Sequence, residues 1–357
     1  MYLFTVNQGN FGLMQYSVSF PGGTVQYVYG SPFALPAHLG KKHCIIITDQ
    51  NIAGIYHNLL SSYKTIAIPA GELHKTWETA SMLAQELLQM EAHRKSFIIG
   101  LGGGLITDIT GFIASVYMRG VPFGFVPTTL LSMVDAAIGG KNGVNHGLQK
   151  NLLGTVNHPD FIHYDIAFLK TLPETEWSNG FAEIIKYACL FDPGMFSELE
   201  QHNIHYYQHN QEALLNLIQR CADWKNKIVQ EDENETGQRK LLNFGHTAGH
   251  ALETLYHLPH GYAVALGMLI ACELSETSIG LSNDRKERLN NLLKQYRLPV
   301  SIKYVPADVM QVLKMDKKRN TETIDYILLQ DIGSPALLPL SFQIIQQALE
   351  NSDVRNN

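Results

Sequence analysis

Residues 96–120 read SFIIGLGGGLITDITGFIASVYMRG. An apolar run ends in glycines, and an apolar segment of helical spacing follows it. A strand covered on both faces carries a continuous apolar run rather than an alternating one, so SFIIG (96–100) reads as a buried parallel strand. ITDITGFIASVYMRG (106–120) reads as the helix behind it. At the join, GLGGGLITD (100–108) has the glycines that let a backbone approach a pyrophosphate, and a helix N-terminus favours that charge. The run is not a complete GxGxxG, because Leu105 stands in the third glycine position. A tight strand-to-helix turn with no ligand explains the same residues.

Outward from this segment the pattern repeats. HCIIITD (43–49) and VPFGFVPTT (121–129) read as further strands, and KTWETASMLAQELLQMEA (75–92) has helical spacing. Strands alternating with helices imply βαβ units and a Rossmann-like, doubly wound parallel sheet. From about Pro173 the character changes. ETEWSNGFAEIIKYACLF (174–191), QEALLNLIQRCADWKNKIVQ (211–230), LLNFGHTAGHALETLYH (241–257), AVALGMLIACELSE (263–276) and DRKERLNNLLKQY (284–296) read as helices. TIDYILLQDIG (323–333) alternates like a strand. The expectation is an α/β domain over 1–170 and a mainly α-helical domain over 171–357, with the active site in a cleft between them.

A chain of 357 residues suits one large or two ordinary domains. With 45% hydrophobic and 17% charged residues it can bury a substantial core. A net charge of −6 argues against nucleic acid or an anionic membrane as the main partner. Cys44, Cys189, Cys221 and Cys272 are scattered with no CxxC, which suggests neither a disulfide framework nor a zinc ribbon. MYLFTVNQGN has no basic stretch leading into an apolar run, so no signal peptide is expected. YAVALGMLIACEL reads as too short to span a bilayer. A cytoplasmic setting fits these features.

Three further sets of residues carry chemistry. PTTLLSMVDAAIGGKNGVNHGLQKN (127–151) places Asp135, Lys141, Asn145, Lys150 and Asn151 among glycines and small residues, as an anion site needs; a solvated loop is the plainer reading. His246 and His250 are four apart and share a helix face. With His260 before the next helix and Glu183 within GFAEIIKYA, one Glu and two His from separate helices would make a three-ligand site with an open position, the pattern of catalytic zinc. Core or capping histidines are the alternative. Arg119, Lys186, Lys225 and Arg239, with Lys317 and Lys318 in MDKKRN, gather cations in an acidic chain. Such a set suits an acidic small molecule, although each residue alone reads more readily as solvated surface.

Taken in order, these segments resemble the 3-dehydroquinate synthase family, within the sugar phosphate cyclase superfamily. The likeness runs from about Asp49 to Gly333 through GGGLITDITGFIASVYMRGVPF, PTTLLSMVDAAIGGKNGVN, KNLLG, LPETEWSNGFAEIIKYA, DENETGQRKLLNFGHTAGHALE, HGYAVALGM and MDKK. The resemblance implies that Glu183, His246 and His260 hold a divalent metal, zinc or cobalt. It implies that His250 faces the substrate rather than the metal, with Asn243 and Arg239, on the same helix and just before it, as substrate contacts. It implies an NAD site at Asp49, Glu72, Lys75, Gly103, Gly104, Asp108, Thr128, Thr129 and Thr171, to which Lys141 and Lys150 also belong. Asp135, Lys141, Lys150, Asn151, Lys186, Lys225 and one of Lys317 or Lys318 complete the implied substrate set. Arg119 resembles an arginine lent to the neighbouring subunit's site, which implies a homodimer.

Three positions depart from the family pattern. Thr175 stands where Arg is usual, Tyr262 replaces the Glu of HGEAV, and TVNHP (155–159) lacks the usual aromatic and Gln. The implied reaction converts 3-deoxy-D-arabino-heptulosonate 7-phosphate into 3-dehydroquinate and phosphate. It runs through transient oxidation by NAD, elimination, re-reduction, ring opening and an intramolecular aldol closure. Rival readings are a metal-dependent polyol dehydrogenase and a sister cyclase acting on sedoheptulose 7-phosphate. The cations Lys141, Lys150, Lys225 and Arg239 suit a substrate with both a phosphate and a carboxylate better than either.

Overall fold

The apolar runs that flank the glycine segment become the middle of one sheet. The strands are β1 (Thr5–Val6), β2 (Met14–Phe20), β3 (Gly23–Tyr29), β4 (Cys44–Asp49), β5 (Lys64–Ile68), β6 (Phe97–Gly102), β7 (Phe123–Pro127), β8 (Lys141–His146), β9 (Gln149–Val156), β10 (Phe161–Tyr164), β11 (Thr323–Asp331) and β12 (Ser334–Ser341). The computed structural model describes residues 5–6, 14–30, 43–147, 149–314 and 322–355. Eight strands form a sheet in the order β1-β2-β3-β10-β7-β6-β4-β5, parallel from β3 to β5 and antiparallel at β2 and β1. In the middle of it Ile98 lies between Ile45 of β4 and Phe123 of β7. Ile46, Phe97, Ile99, Leu101, Val126 and Phe161 pack as one buried cluster. Each such side chain contributes about 1.5–3 kcal/mol when removed from water.

This topology positions the glycine segment. β4 has β5 on one side and β6 on the other, so the winding reverses there. At such a switch point the carboxyl ends of the strands open a crevice. Asp49 ends β4, and its carboxylate accepts from the amides of Asn51 at 2.9 Å and Ile52 at 3.1 Å, capping the helix Gln50–Ile55. Gly102 ends β6, and Gly103 caps the helix Gly104–Val116.

The chain divides into two compact units, Met1–Leu172 with Lys225–Asn234, and Pro173–Trp224 with Glu235–Asn357. The helix Gln211–Glu231 therefore contributes its first part to the second unit and its last turns to the first. The second unit is mostly helical, with a hairpin of β11 and β12. Its helix Glu174–Phe191 has Glu174 and Glu176 in the first turn, where the helix dipole favours acids, and is buried from Trp177 to Leu190.

Residues 241–257 are not one helix. A 3-10 turn over Gln238–Asn243 is followed by Gly245, at φ +77°, and the helix His246–Tyr256 begins after it. Asn243 and His246 thus lie on different elements. Packing against the helix His260–Ile279 causes the break: a Cβ on Gly245 would lie 2.6 Å from Met268 Cγ, and one on Gly267 would lie 1.8 Å from the Gly245 carbonyl. That second helix is long and apolar enough to cross a bilayer, against the shorter apolar stretch expected from sequence, but 67% of its most apolar window is buried inside the protein. Its hydropathy is that of a core helix.

Candidate functional site

Glu183, His246 and His260 come from three helices of the second unit, and one donor atom from each lies within 4.8 Å of the others. Glu183 Oε1 is 3.2 Å from His260 Nε2 and 3.5 Å from His246 Nε2. Donors bound at 2.0–2.2 Å to a tetrahedral cation stand about 3.3–3.5 Å apart, so one carboxylate and two imidazoles fit a zinc- or cobalt-like ion at this place. The remaining atoms of these three side chains are oriented from behind. His246 Nδ1 is 3.1 Å from the Phe244 carbonyl, which turns Nε2 toward Glu183. His260 Nδ1 is 3.5 Å from Glu253 Oε2. Lys186, one helical turn after Glu183, forms an ion pair with Oε2 and leaves Oε1 to the histidines.

The charges of this group are strongly coupled. Burial pushes the Glu183 carboxyl up, but the Lys186 ammonium and His260 outweigh it and hold the group at about 2. Burial pulls His260 down, and the Glu183 and Glu253 carboxylates more than reverse this, pushing it up to about 9. His250 lies one turn along from His246, with ring centroids 5.1 Å apart, and forms a second candidate group with Glu253 and His260. The set containing Glu183 is the better cation site, because its carboxylate is fully buried and faces both Nε2 atoms. Arg239 is buried, and Asn243 donates to Glu235, whose own φ of +59° is unusual for a non-glycine residue.

In the first unit several of the predicted residues gather in three places, and the others stand apart. Gly103, Gly104, Thr128 and Thr129 sit at the carboxyl ends of β6 and β7, where the Thr128 amide donates to the Gly102 carbonyl at 3.0 Å and Thr129 Oγ1 lies 2.9 Å from Ser132 Oγ. Lys75 forms an ion pair with Asp108 and lies 3.8 Å from Glu72, and Glu72 accepts from Asn145 Nδ2 at 3.0 Å. The Asn151 amide in turn donates to Asn145 Oδ1 at 2.9 Å. Lys225 Nζ sits on Asp135, 2.6 Å from its carbonyl and 2.9 Å from its carboxylate. Lys141 and Lys150 lie on the hairpin of β8 and β9, and Thr171 pairs with Tyr56 at 3.0 Å. Arg119 is exposed, at φ +69° between Met118 and Gly120, which also have positive φ. Lys317 and Lys318 lie outside the described residues.

Residues 65–179 match the family described as 3-dehydroquinate synthase N-terminal, and residues 180–319 match 3-dehydroquinate synthase C-terminal. The chain belongs to the 3-dehydroquinate synthase family. Among its relatives, the 3-dehydroquinate synthase of Dichelobacter nodosus (strain VCS1703A) is 43% identical over 307 residues, covering 83% of each chain. That of Pyrococcus abyssi is 42% identical over 288 residues, covering 80% of this chain and 84% of the relative. Among solved structures, ValA, a 2-epi-5-epi-valiolone synthase from Streptomyces hygroscopicus subsp. jinggangensis 5008 with NAD+ and Zn2+ bound, superposes with a TM-score of 0.84 at 27% identity, over 97% of this chain and 98% of that one.

Measured against the 3-dehydroquinate synthase pattern, the departing residues fall outside the Glu–His–His group. Thr175 is exposed in a first helical turn. His158 is buried against Phe20, with ring centroids 4.3 Å apart, and its Nε2 lies 2.8 Å from Glu233 Oε1. Sequence reasoning passed over Glu253 and Glu235. Glu253 had a signal, since it stands three residues after His250 and seven after His246 on the same helix face. Glu235 had none, because its contact with Asn243 is made between an irregular stretch, where Glu235 has φ +59°, and the end of the turn Gln238–Asn243.

Proposed function

We propose that this chain is a 3-dehydroquinate synthase, an NAD- and metal-dependent carbon–oxygen lyase that converts 3-deoxy-D-arabino-heptulosonate 7-phosphate to 3-dehydroquinate and phosphate. The observation that carries the reading is a fully buried Glu183 carboxylate 3.2 Å from His260 Nε2 and 3.5 Å from His246 Nε2 in a chain 43% identical to a 3-dehydroquinate synthase. Those three residues would hold one divalent cation, zinc or cobalt. When bound, the cation polarises the hydroxyl being oxidised and the carbonyl that results. NAD, when bound, accepts a hydride and returns it in the same cycle.

The chain's own residues bind and orient. Asp49, Gly103, Gly104, Thr128 and Thr129 line the switch point and would hold the dinucleotide, the helix N-terminus at Gly104 favouring a bound phosphate's charge. Glu72, Lys75, Asp108 and Thr171 complete that site. Lys225 and Arg239 take the substrate carboxylate, while Lys141, Lys150 and Asn151 take the phosphate. Asp135 holds Lys225 in place. Lys186, Asn243 and His250 contact the sugar hydroxyls. Arg119 reaches the site of a second copy, making the enzyme a homodimer in the cytoplasm. Its exposure, and the positive φ that carries the chain away from the preceding helix, support that role.

The test follows inorganic phosphate and reduced nicotinamide in one cuvette. Phosphate should appear without stoichiometric NADH, and heptulosonate 7-phosphate should turn over at least about a hundredfold more efficiently than sedoheptulose 7-phosphate, the worth of one charge-assisted contact. NADH accumulating mole for mole with product would identify a polyol dehydrogenase. Equal turnover of sedoheptulose 7-phosphate would identify a sister cyclase.

A further inference from the structure

The hairpin of β2 and β3 grips one stretch of chain, residues 226–233, at three points. Tyr27 Oη donates to Asn226 Oδ1 at 2.5 Å, Gln230 Nε2 donates to the Ser19 carbonyl at 2.9 Å, and the Gly22 amide donates to Glu233 Oε1 at 3.0 Å. Asn226 and Gln230 are four apart on the helix Gln211–Glu231 and share a face of it, and Glu233 follows two residues beyond its end. Tyr27 and Asn226 are both 0% exposed, and the Tyr27 ring stacks on Tyr16 at 5.1 Å. The residue next to Asn226 is Lys225, whose ammonium rests on Asp135.

Asn226 is a poor choice for stability alone. Its Nδ2 is buried and has no hydrogen-bond partner among the described residues, and Ala222 and Val229, the buried residues four before and three after it on the helix, are apolar. A leucine would fill such a place without stranding a donor. What the amide provides is a directional tie to the Tyr27 hydroxyl. The ammonium of Lys225 sits at the end of a flexible four-carbon stem. Asp135 fixes its tip, so its reach is defined only if the helical turn at its base is fixed as well.

We propose that Tyr27 is a positioning residue for Lys225: through Asn226 its hydroxyl sets the rotation of the turn from which Lys225 meets the substrate. The inference rests on the reading of Lys225 as a carboxylate contact and extends it to a residue far away in the chain.

The test uses Tyr27→Phe in the NAD- and cation-loaded enzyme, which removes one oxygen and keeps the ring stack. KM for the heptulosonate phosphate should rise about fivefold to tenfold, the effect of one neutral hydrogen bond, with kcat and NAD affinity each within about twofold. In a Lys225→Met background, Tyr27→Phe should add less than about twofold, because the two act through one contact. Effects that multiply in that double variant, or a parallel loss of NAD affinity, mean a merely structural role and overturn the proposal. A raised KM in Lys225→Met together with an unchanged KM in Tyr27→Phe also overturns it and leaves the substrate reading intact. An unchanged KM in Lys225→Met overturns both. Should Tyr27→Phe fail to fold, Gln230→Ala loosens the same grip at an exposed residue, and the same KM and NAD readouts decide.

Discussion

Glu183→Gln replaces a carboxylate by an amide of the same shape at a fully buried side chain. Lys186, whose side chain is 2% exposed, is then left without its counter-charge. Removing one partner of a buried ion pair typically costs about 3–5 kcal/mol. The protonation equilibrium supports a similar size. Burial raises Glu183, yet Lys186 and His260 hold it at about 2 against an ordinary 4.5, a depression corresponding to ~3 kcal/mol at neutral pH. Because the folded value lies below the unfolded one, this contribution is complete above about 4.5 and is lost as pH falls toward 2. In chelator-treated protein near pH 7 the variant should therefore melt roughly 6–12 °C lower, at about 2–4 °C per kcal/mol for a unit of this size. It should also bind zinc or cobalt at least about a hundredfold more weakly. Adding Lys186→Met removes the second charge, so the double variant should regain most of the melting temperature and none of the cation affinity. The assay is thermal unfolding by circular dichroism beside metal content after dialysis. A single variant melting within about 2 °C of the parent, or keeping its full metal, would refute the reasoning.

The histidines should separate by role. His246→Ala loses the cation, whereas His250→Ala keeps it and loses turnover, and metal analysis with activity on the same preparations checks both. Metal lost from His250→Ala but kept by His246→Ala would move the ligand set to the group containing His250, Glu253 and His260. For Arg119, mixing Arg119→Ala chains with Lys186→Ala chains should restore part of the activity, since one hybrid site of the mixed dimer is whole. Mixed dimers that form without any rescue would confine Arg119 to its own chain.

Much of the fold is legible along the chain. The bounds read for the helix 174–191 are those of Glu174–Phe191, and the runs at 43–49 and 96–100 are parallel strands paired on both sides. Strong, unbroken periodicity survives whatever packs against it. MQYSVSF alternates apolar and polar residues, and the alternating burial of β2 follows that signal. The end of the helix at His246 does not follow from local propensity, because LLNFGHTAGHALETLYH keeps its helical spacing through Gly245. The close approach of the helix His260–Ile279 breaks it there.

The sequence by itself determined which chemistry was present: a glycine turn after a parallel strand, two histidines on one helix face, a glutamate inside a buried helix, and cations in an acidic chain. Tertiary structure alone decided how these groups meet. It turned the Nε2 of His246 and of His260 toward one oxygen of Glu183, placed Glu253 behind His260, and tied Asn226 to Tyr27. Spacing along the chain reports neighbours within an element, where 3.6 residues make a turn. A pairing across 77 residues, as between His260 and Glu183, or across 199, as between Tyr27 and Asn226, depends instead on which faces the core brings together.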